Sequence, residues 1–212
     1  MLPKYHTTLY TLVIGLMIGG FTMISILIKG NHIEHFDHAI ITFVQSFENP
    51  TLTNIMLFFT EVGSGSSIHI FAFIIFIVFY FFLKYRVELL LFIIVLLGSH
   101  YLFRALKHMF QRSRPDLHRL VEIGGYSFPS GHATNAICIY GILTFVLWRH
   151  IPSLAGRYLL LFISTFMILA IGISRVYLGV HYPSDVLAGY FAGGCLLTIV
   201  IWSYHFALVK MK

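Results

Sequence analysis

Three short polar groups interrupt an otherwise apolar chain, and each carries anion-binding or proton-transfer chemistry: Lys107 with Arg114, then Ser130-Gly131-His132, then Arg175 with His181 and Asp185. Arginine offers a planar fork of N–H donors to phosphate oxygens, and lysine a compact point charge. Pro129 and Ser130 are stop-and-cap residues, Gly131 permits close approach to the backbone, and His132 falls in the first turn of the helix that follows. That stretch is an anion site with an acid–base group attached. Asp185, four residues after His181, can hold one imidazole nitrogen and leave the other as a nucleophile or base. Taken singly, each group is a common helix cap or a solvated charge. Their chemical meaning depends on whether the fold brings them together.

The elements that must position them are membrane helices. The chain has 212 residues, of which 58% are hydrophobic and only 10% charged, a composition outside the soluble range. Apolar runs long enough to cross a bilayer as helices are read at about 9–28, 67–83, 87–103, 132–148, 158–174 and 185–205. The expected fold is all-α: one polytopic membrane domain over residues 1–212, with six transmembrane helices and no room for a soluble domain. The first run lacks a small-residue cleavage site and reads as a retained anchor. Cys138 and Cys195 fall inside apolar helices, where a free thiol behaves as a small hydrophobe.

Between the first and second spans, Ile33, Phe36, Ile40, Phe43, Val44 and Phe47 recur at helical spacing, with Glu34, Asp37, His38 and Gln45 off that stripe. This predicts an amphipathic helix on the outer surface, followed after Asn49-Pro50 by a second short one, so that outer surface helices occupy about 33–62. His32, His35 and His38 read as interfacial histidines rather than metal ligands. Gly63-Ser-Gly-Ser-Ser67 is expected to be a flexible turn. Gly15 with Gly19, and Gly189 with Gly193, are spaced for close helix packing.

A net charge of +6 would suggest nucleic acid in a soluble chain, but here its distribution along the loops is informative. With the N- and C-termini in the cytoplasm, Lys4, Lys84, Arg86, Arg149, Arg157, Lys210 and Lys212 lie inside, opposed only by Glu88. The first outer segment is acidic, with Glu34, Asp37, Glu48 and Glu61 against Lys29. The second breaks the rule, because Arg104, Lys107, Arg112, Arg114 and Arg119 face only Asp116 and Glu122. Inverting the topology would misplace every inner segment, so this cluster is expected to meet an anionic ligand. Lys107 and Arg114, seven apart, share a helix face if the helix persists to Pro115.

Crossing parity then puts all three polar groups at the same outer face. Together they make an anion clamp with two histidines, one beside a carboxylate, which is the set that in-line phosphoryl transfer requires. No Asp/Glu-rich or Cys-rich grouping suits a divalent metal, so no metal and no cofactor are expected. Geometry of this kind does not say which histidine attacks.

Lys107-x6-Arg114-Pro115, Pro129-Ser130-Gly131-His132 and Ser174-Arg175-x5-His181-x3-Asp185 resemble, intact and in order, the three signature motifs of the type 2 phosphatidic acid phosphatase superfamily, which also includes vanadium haloperoxidases. The six-span layout resembles the bacterial membrane members. The resemblance implies that His181 is the nucleophile and forms a phosphohistidine, that Asp185 orients it, and that His132 is the general acid and base. It also implies that Lys107, Arg114, Ser130, Gly131 and Arg175 hold the phosphate. Consistent with those roles, a carboxylate beside His181 should raise its basicity, and a helix N-terminus should make His132 release its proton more readily.

The expected function is a metal-independent membrane lipid phosphatase acting at the outer face. Its expected partners are the bilayer and a phospholipid or polyprenyl phosphate, with no nucleic acid. Phosphatidylglycerophosphate is the first choice of substrate and undecaprenyl pyrophosphate the alternative. A vanadate-dependent oxidase is disfavoured by the six spans and the lack of a soluble scaffold. A lipid or anion transporter is disfavoured because the charges line helix ends rather than the midplane.

Overall fold

The computed structural model describes residues 4–116 and 118–210, with side chains beyond the first six residues and before Lys210. Lys212, used above in the charge argument, lies outside the described residues, as do the side chains of Lys4 and Lys210. Among the described residues eight helices follow one another: α1 (Lys4–Lys29), α2 (Glu34–Gln45), α3 (Pro50–Val62), α4 (Gly65–Ile77), α5 (Arg86–Phe110), α6 (Gly131–Trp148), α7 (Leu154–Tyr177) and α8 (Pro183–Lys210). A π-helical segment, Val78–Leu83, continues α4. No strand occurs among the described residues. Six of the helices are long and apolar enough to cross a membrane, as the hydropathy pattern predicts.

Local chemistry sets most of the helix boundaries. Asn49 and Ser64 cap α3 and α4 by accepting from Leu52 N (2.9 Å) and Ser67 N (3.3 Å). Ser153 caps α7 through Gly156 N at 3.1 Å. Pro183 opens α8, where its missing N–H has no intrahelical role. Lys84 and Gln111 take left-handed conformations at the ends of the π segment and of α5.

The bundle is built around α6, which packs against α5, α7 and α8, while α1 lies along α8. Its apolar centre includes Phe92, Val95, Ile139, Ile142 and Val146, all nearly inaccessible. Gly189 and Gly193 allow α8 to close on α6: a Cβ on Gly189 would stand 2.7 Å from the Ser130 carbonyl oxygen, and one on Gly193 2.5 Å from Ile137 Cγ2. The matching expectation for Gly15 and Gly19 fails, since both face open space. Gly20 and Gly194 take that part, against Phe191 and Met17.

Three further expectations are corrected. Helix α5 continues past 103 to Phe110, so Lys107 is helical, but Gln111 ends the helix and Arg114 reaches the site from an irregular loop, not from a shared helix face. Gly63–Ser67 is a capped helix start rather than a flexible turn. Asp37 does not lie off the buried face of α2. It is fully buried on the stripe Ile33-Asp37-Ile41-Val44, while Phe36, Phe43 and Phe47 are exposed.

The loop from 111 to 130 is closed on itself near its ends and anchored to the end of α7 at its middle. Ser127 N donates to the Arg112 carbonyl at 2.8 Å, and Leu120 N to the Leu178 carbonyl at 3.1 Å. Phe128 is buried with Ile24, Ile33 and Ala188. Gly179, at φ +70°, lets the loop pass, because a Cβ there would stand 2.0 Å from the His118 carbonyl oxygen.

Candidate active site

At the end of the bundle where α5 and α7 finish and α6 and α8 begin, a cavity of about 460 Å³ is lined by Lys107, Arg114, Gly131, His132, Arg175 and His181. All three expected cations and both expected histidines therefore meet. Ser130 and Asp185 stand behind this lining, each fully buried. The Ser130 hydroxyl faces its own helix as the N-cap of α6, 3.5 Å from Ala133 N, and its backbone N–H donates to the Asp185 carbonyl at 3.0 Å. Ser130 thus positions the helix end, and Gly131 and His132 present it to the cavity.

His181 and Asp185 are arranged less directly than the four-residue spacing suggests. The Nδ1–Oδ2 separation is 3.5 Å, long for a hydrogen bond. Ser127 Oγ sits between them, 2.5 Å from Asp185 Oδ2 and 3.2 Å from His181 Nδ1. The ionised carboxylate can only accept, so Ser127 donates to it and takes its own bond from Nδ1–H. That assignment leaves Nε2 without a proton, 3.2 Å from Arg114 Nη1.

Asp185 is held in turn by Arg112, whose Nη1 is 2.7 Å from Oδ1, and by Tyr182 N at 2.9 Å from Oδ2. The other arm of Arg112 reaches Asp37 Oδ2 at 2.8 Å, and Asp37 also accepts from Ser184 N (2.9 Å) and Ser184 Oγ (2.6 Å). The guanidinium lies 3.9 Å from the centre of the Tyr182 ring. Both carboxylates are fully buried, and Arg112 is 13% exposed. Burial opposes the charge on Arg112, but Asp185 and Asp37 outweigh it and raise its pKa.

The clamp cations also hold the loop. Lys107 Nζ donates to the carbonyls of Tyr126 and Ser127, the second at 3.3 Å. Arg114 donates to the carbonyls of Val180 (2.7 Å), Gly125 (3.0 Å) and Gly124 (3.2 Å). Arg175, 2% exposed, bonds Thr60 Oγ1 through Nη1, while its Nε is buried with no hydrogen-bond partner among the described residues. A buried guanidinium donor left in that condition beside two other cations is suited to an anion.

His181 is pushed well below the ordinary imidazole pKa, first by burial and then by Arg175, Lys107 and Arg114. This reverses the expectation that Asp185 makes it more basic. Desolvation and three cations outweigh one carboxylate that is already shared with Arg112 and Ser127.

The sequence patterns miss Ser127, Arg112, Asp37, Thr60 and Gly63. Ser127 and Arg112 lie within or beside the motif stretches, with nothing in their spacing to separate them from solvated neighbours. Asp37 has one readable signal, an acid at an inward position of the Ile33-Ile41-Val44 stripe. Gly63 is an approach glycine, where a Cβ would stand 3.0 Å from His132 Cδ2. Its role, like that of Thr60, depends on the two short helices folding over the cavity.

The model of the PAP2 superfamily matches residues 88–208. Phosphatidylglycerophosphatase B of Bacillus subtilis is 34% identical over 181 residues, covering 85% of this chain and 89% of that one. YbjG of Escherichia coli, provisionally named an undecaprenyl-diphosphatase, is 40% identical over 108 residues, 45% of this chain and 47% of its own. The crystal structure of the PAP2-type phosphatidylglycerolphosphate phosphatase of Bacillus subtilis superposes with a TM-score of 0.83 at 30% identity, covering 94% of this chain and 97% of that one. Aquifex aeolicus LpxE shares the fold, with a TM-score of 0.64 at 23% identity over 79% of this chain and 95% of its own.

Two outcomes follow from the geometry. Asp37→Ala, outside the matched residues, leaves Asp185 to balance the Arg112 charge but strands Arg112 Nη2 and the N–H and hydroxyl of Ser184 without acceptors, and should cost about 1–3 kcal/mol of stability, with a parallel loss of turnover. Thermal melting in detergent and phosphate release check this, and a variant with unchanged melting and rate would remove Asp37 from the site. Because its folded pKa is depressed, His181 should stay neutral as pH falls through 6.5, while an unfolded histidine takes up a proton. Its contribution to stability therefore declines below pH 6.5, and its ring signals in a histidine NMR titration should show a midpoint below 6.5. A midpoint at or above that value contradicts the electrostatics.

Proposed function

The chain belongs to the PAP2 superfamily, and from that membership we propose that it is an integral-membrane lipid phosphatase, one domain over residues 1–212, that hydrolyses phosphatidylglycerophosphate to phosphatidylglycerol. The observation that carries the reading is the meeting of His181, His132, Lys107, Arg114 and Arg175 on one cavity, in a chain similar over most of its length to a phosphatidylglycerophosphatase B. An apolar groove of about 430 Å³, lined in part by Phe58, Ile70, Phe71 and Ile74, shares Gly63 with that cavity and suits a lipid ester better than a soluble one.

In this reading the terminal phosphate is held by Lys107, Arg114, Arg175 and the first-turn N–H groups of α6, which neutralise charge on its non-bridging oxygens. His181 Nε2 attacks phosphorus, and the bond from phosphorus to the lipid alkoxide breaks. His132 gives that oxygen its proton. In the second half, His132 takes a proton from water as the water oxygen attacks phosphorus, the phosphohistidine bond breaks, and inorganic phosphate leaves. The enzyme returns to its starting protonation. Asp185, through Ser127, keeps Nδ1 protonated so that Nε2 is the reacting atom.

His181→Ala should abolish phosphate release, by roughly 10⁴-fold or more, with melting in detergent little changed. Near-normal turnover in that variant would sink the mechanism. Wild-type release should be fastest on phosphatidylglycerophosphate in a panel with phosphatidic acid, diacylglycerol pyrophosphate and undecaprenyl pyrophosphate, and should be unaffected by EDTA. A preference for undecaprenyl pyrophosphate moves the assignment to the polyprenyl reading, and loss in EDTA restored by Mg²⁺ reveals a metal requirement.

The basic inner segments support placing both termini in the cytoplasm and the cavity at the outer face of the cell membrane. Gly124 is exposed and a Cβ there meets nothing, so Gly124→Cys can be labelled by an impermeant maleimide. Labelling of intact cells is expected, whereas labelling of inside-out vesicles alone would reverse the topology.

A further inference from the structure

Three titratable side chains on the cavity wall take no part in the steps above. His69 on α4, and His100 and Arg104 on α5, line the same cavity as the clamp and both site histidines, yet they belong to membrane-spanning helices. Residues 100, 104 and 107 are spaced four and three apart, which places them on one face of α5. From Lys107, the Arg104 Cα lies about 4.5 Å and the His100 Cα about 10.5 Å further along the axis, towards the bilayer interior. His69, His100 and Arg104 share this lining, which includes no carboxylate.

Arg104 is exposed to the cavity and has no hydrogen bond or ion pair among the described residues. A guanidinium inside a membrane span is costly, and one without a partner marks a ligand path. The terminal phosphate already has Lys107, Arg114 and Arg175. On the facing wall Asn135 follows His132 by one turn, and its side-chain amide, 2.9 Å from Ser99 Oγ, adds a hydrogen-bonding group to the lining. The wall between the clamp and the bilayer interior is thus positive and rich in hydrogen-bonding groups.

We propose that Arg104, with His100 and His69, forms a second anion subsite that holds the internal phosphodiester of a headgroup carrying two phosphates bridged by glycerol. The proposal rests on the lipid phosphatase reading and names the part of the substrate that Arg104 meets. With the terminal phosphate against Lys107, a phosphatidylglycerophosphate headgroup runs down the cavity and offers its second negative charge one glycerol nearer the acyl chains, at the level of Arg104. Phosphatidic acid offers only ester oxygens at that level. A polyprenyl pyrophosphate keeps its second phosphate directly beside the first, within the clamp.

The test is kcat/KM on phosphatidylglycerophosphate and on phosphatidic acid for the full chain in detergent micelles, comparing wild type with Arg104→Gln, Arg104→Lys and His69→Gln. Arg104→Gln should lose roughly ten- to hundredfold on phosphatidylglycerophosphate, mainly through KM, and less than roughly threefold on phosphatidic acid. Arg104→Lys should recover part of that loss, and His69→Gln should show the same selectivity more weakly. Equal losses on both substrates, or no loss on either, overturn the subsite while leaving the phosphatase reading intact. A wild-type protein that releases no phosphate from phosphatidylglycerophosphate overturns that substrate reading and the subsite with it.

Discussion

The site depends on one guanidinium. Arg112 joins two fully buried carboxylates from opposite ends of the chain, Asp37 on α2 and Asp185 on α8. Each carboxylate takes an N–H from it, at 2.8 and 2.7 Å, and without it two buried acids would be left with no bonded cation, at a cost of several kcal/mol. With Arg112 in place, Asp185 stays an acceptor, Ser127 must donate to it, and the tautomer of His181 follows. The surface helix α2 is therefore part of the site through the carboxylate that holds the second arm of Arg112, although it contributes nothing to the cavity wall.

A second constraint is the excess of positive charge. Lys107, Arg114 and Arg175 converge on His181 with no carboxylate among the cavity-lining residues. The backbone relieves part of the strain: loop carbonyls from Tyr126, Ser127, Gly124, Gly125 and Val180 accept from Lys107 and Arg114. The loop is thus folded by the same cations that can bind phosphate, and an arriving anion would draw on donors already aligned. The depressed pKa of His181 comes first from its burial and then from the same field. In the proposed mechanism His181 attacks phosphorus and has to be unprotonated, and the cations proposed to hold the phosphate also favour that state.

Much of this was legible in advance because membrane helices are specified locally. Apolar runs, proline at 183, serine at 130 and the basic residues of the loops each act over a few residues, and crossing parity alone carries three distant motifs to one face. Legibility ended where a contact joins segments distant in sequence. Asp37 reads equally well as a solvated acid on an amphipathic helix, and only the position of Arg112 and Ser184 makes it a buried anchor. Arg114 was placed on a helix face because the spacing from Lys107 allowed it, yet the left-handed Gln111 ends α5 first. Gly15 and Gly19 carry the packing pattern that Gly20 and Gly194 use.

By itself the sequence determined the all-helical membrane architecture, the common face, and the identity of the two histidines, three cations and one aspartate that could perform phosphoryl transfer. These rest on hydropathy, helix periodicity and residue chemistry, which are properties of short segments. Tertiary structure alone decided that Ser127 stands between His181 and Asp185, that the capping Ser130 hydroxyl stands behind the cavity lining, and that Arg112 rather than the motif cations holds the aspartate. It also decided that burial with three cations, not a neighbouring carboxylate, sets the protonation of His181. Each of these is a balance of desolvation against partners brought from far along the chain, and such a balance exists only once the chain has folded.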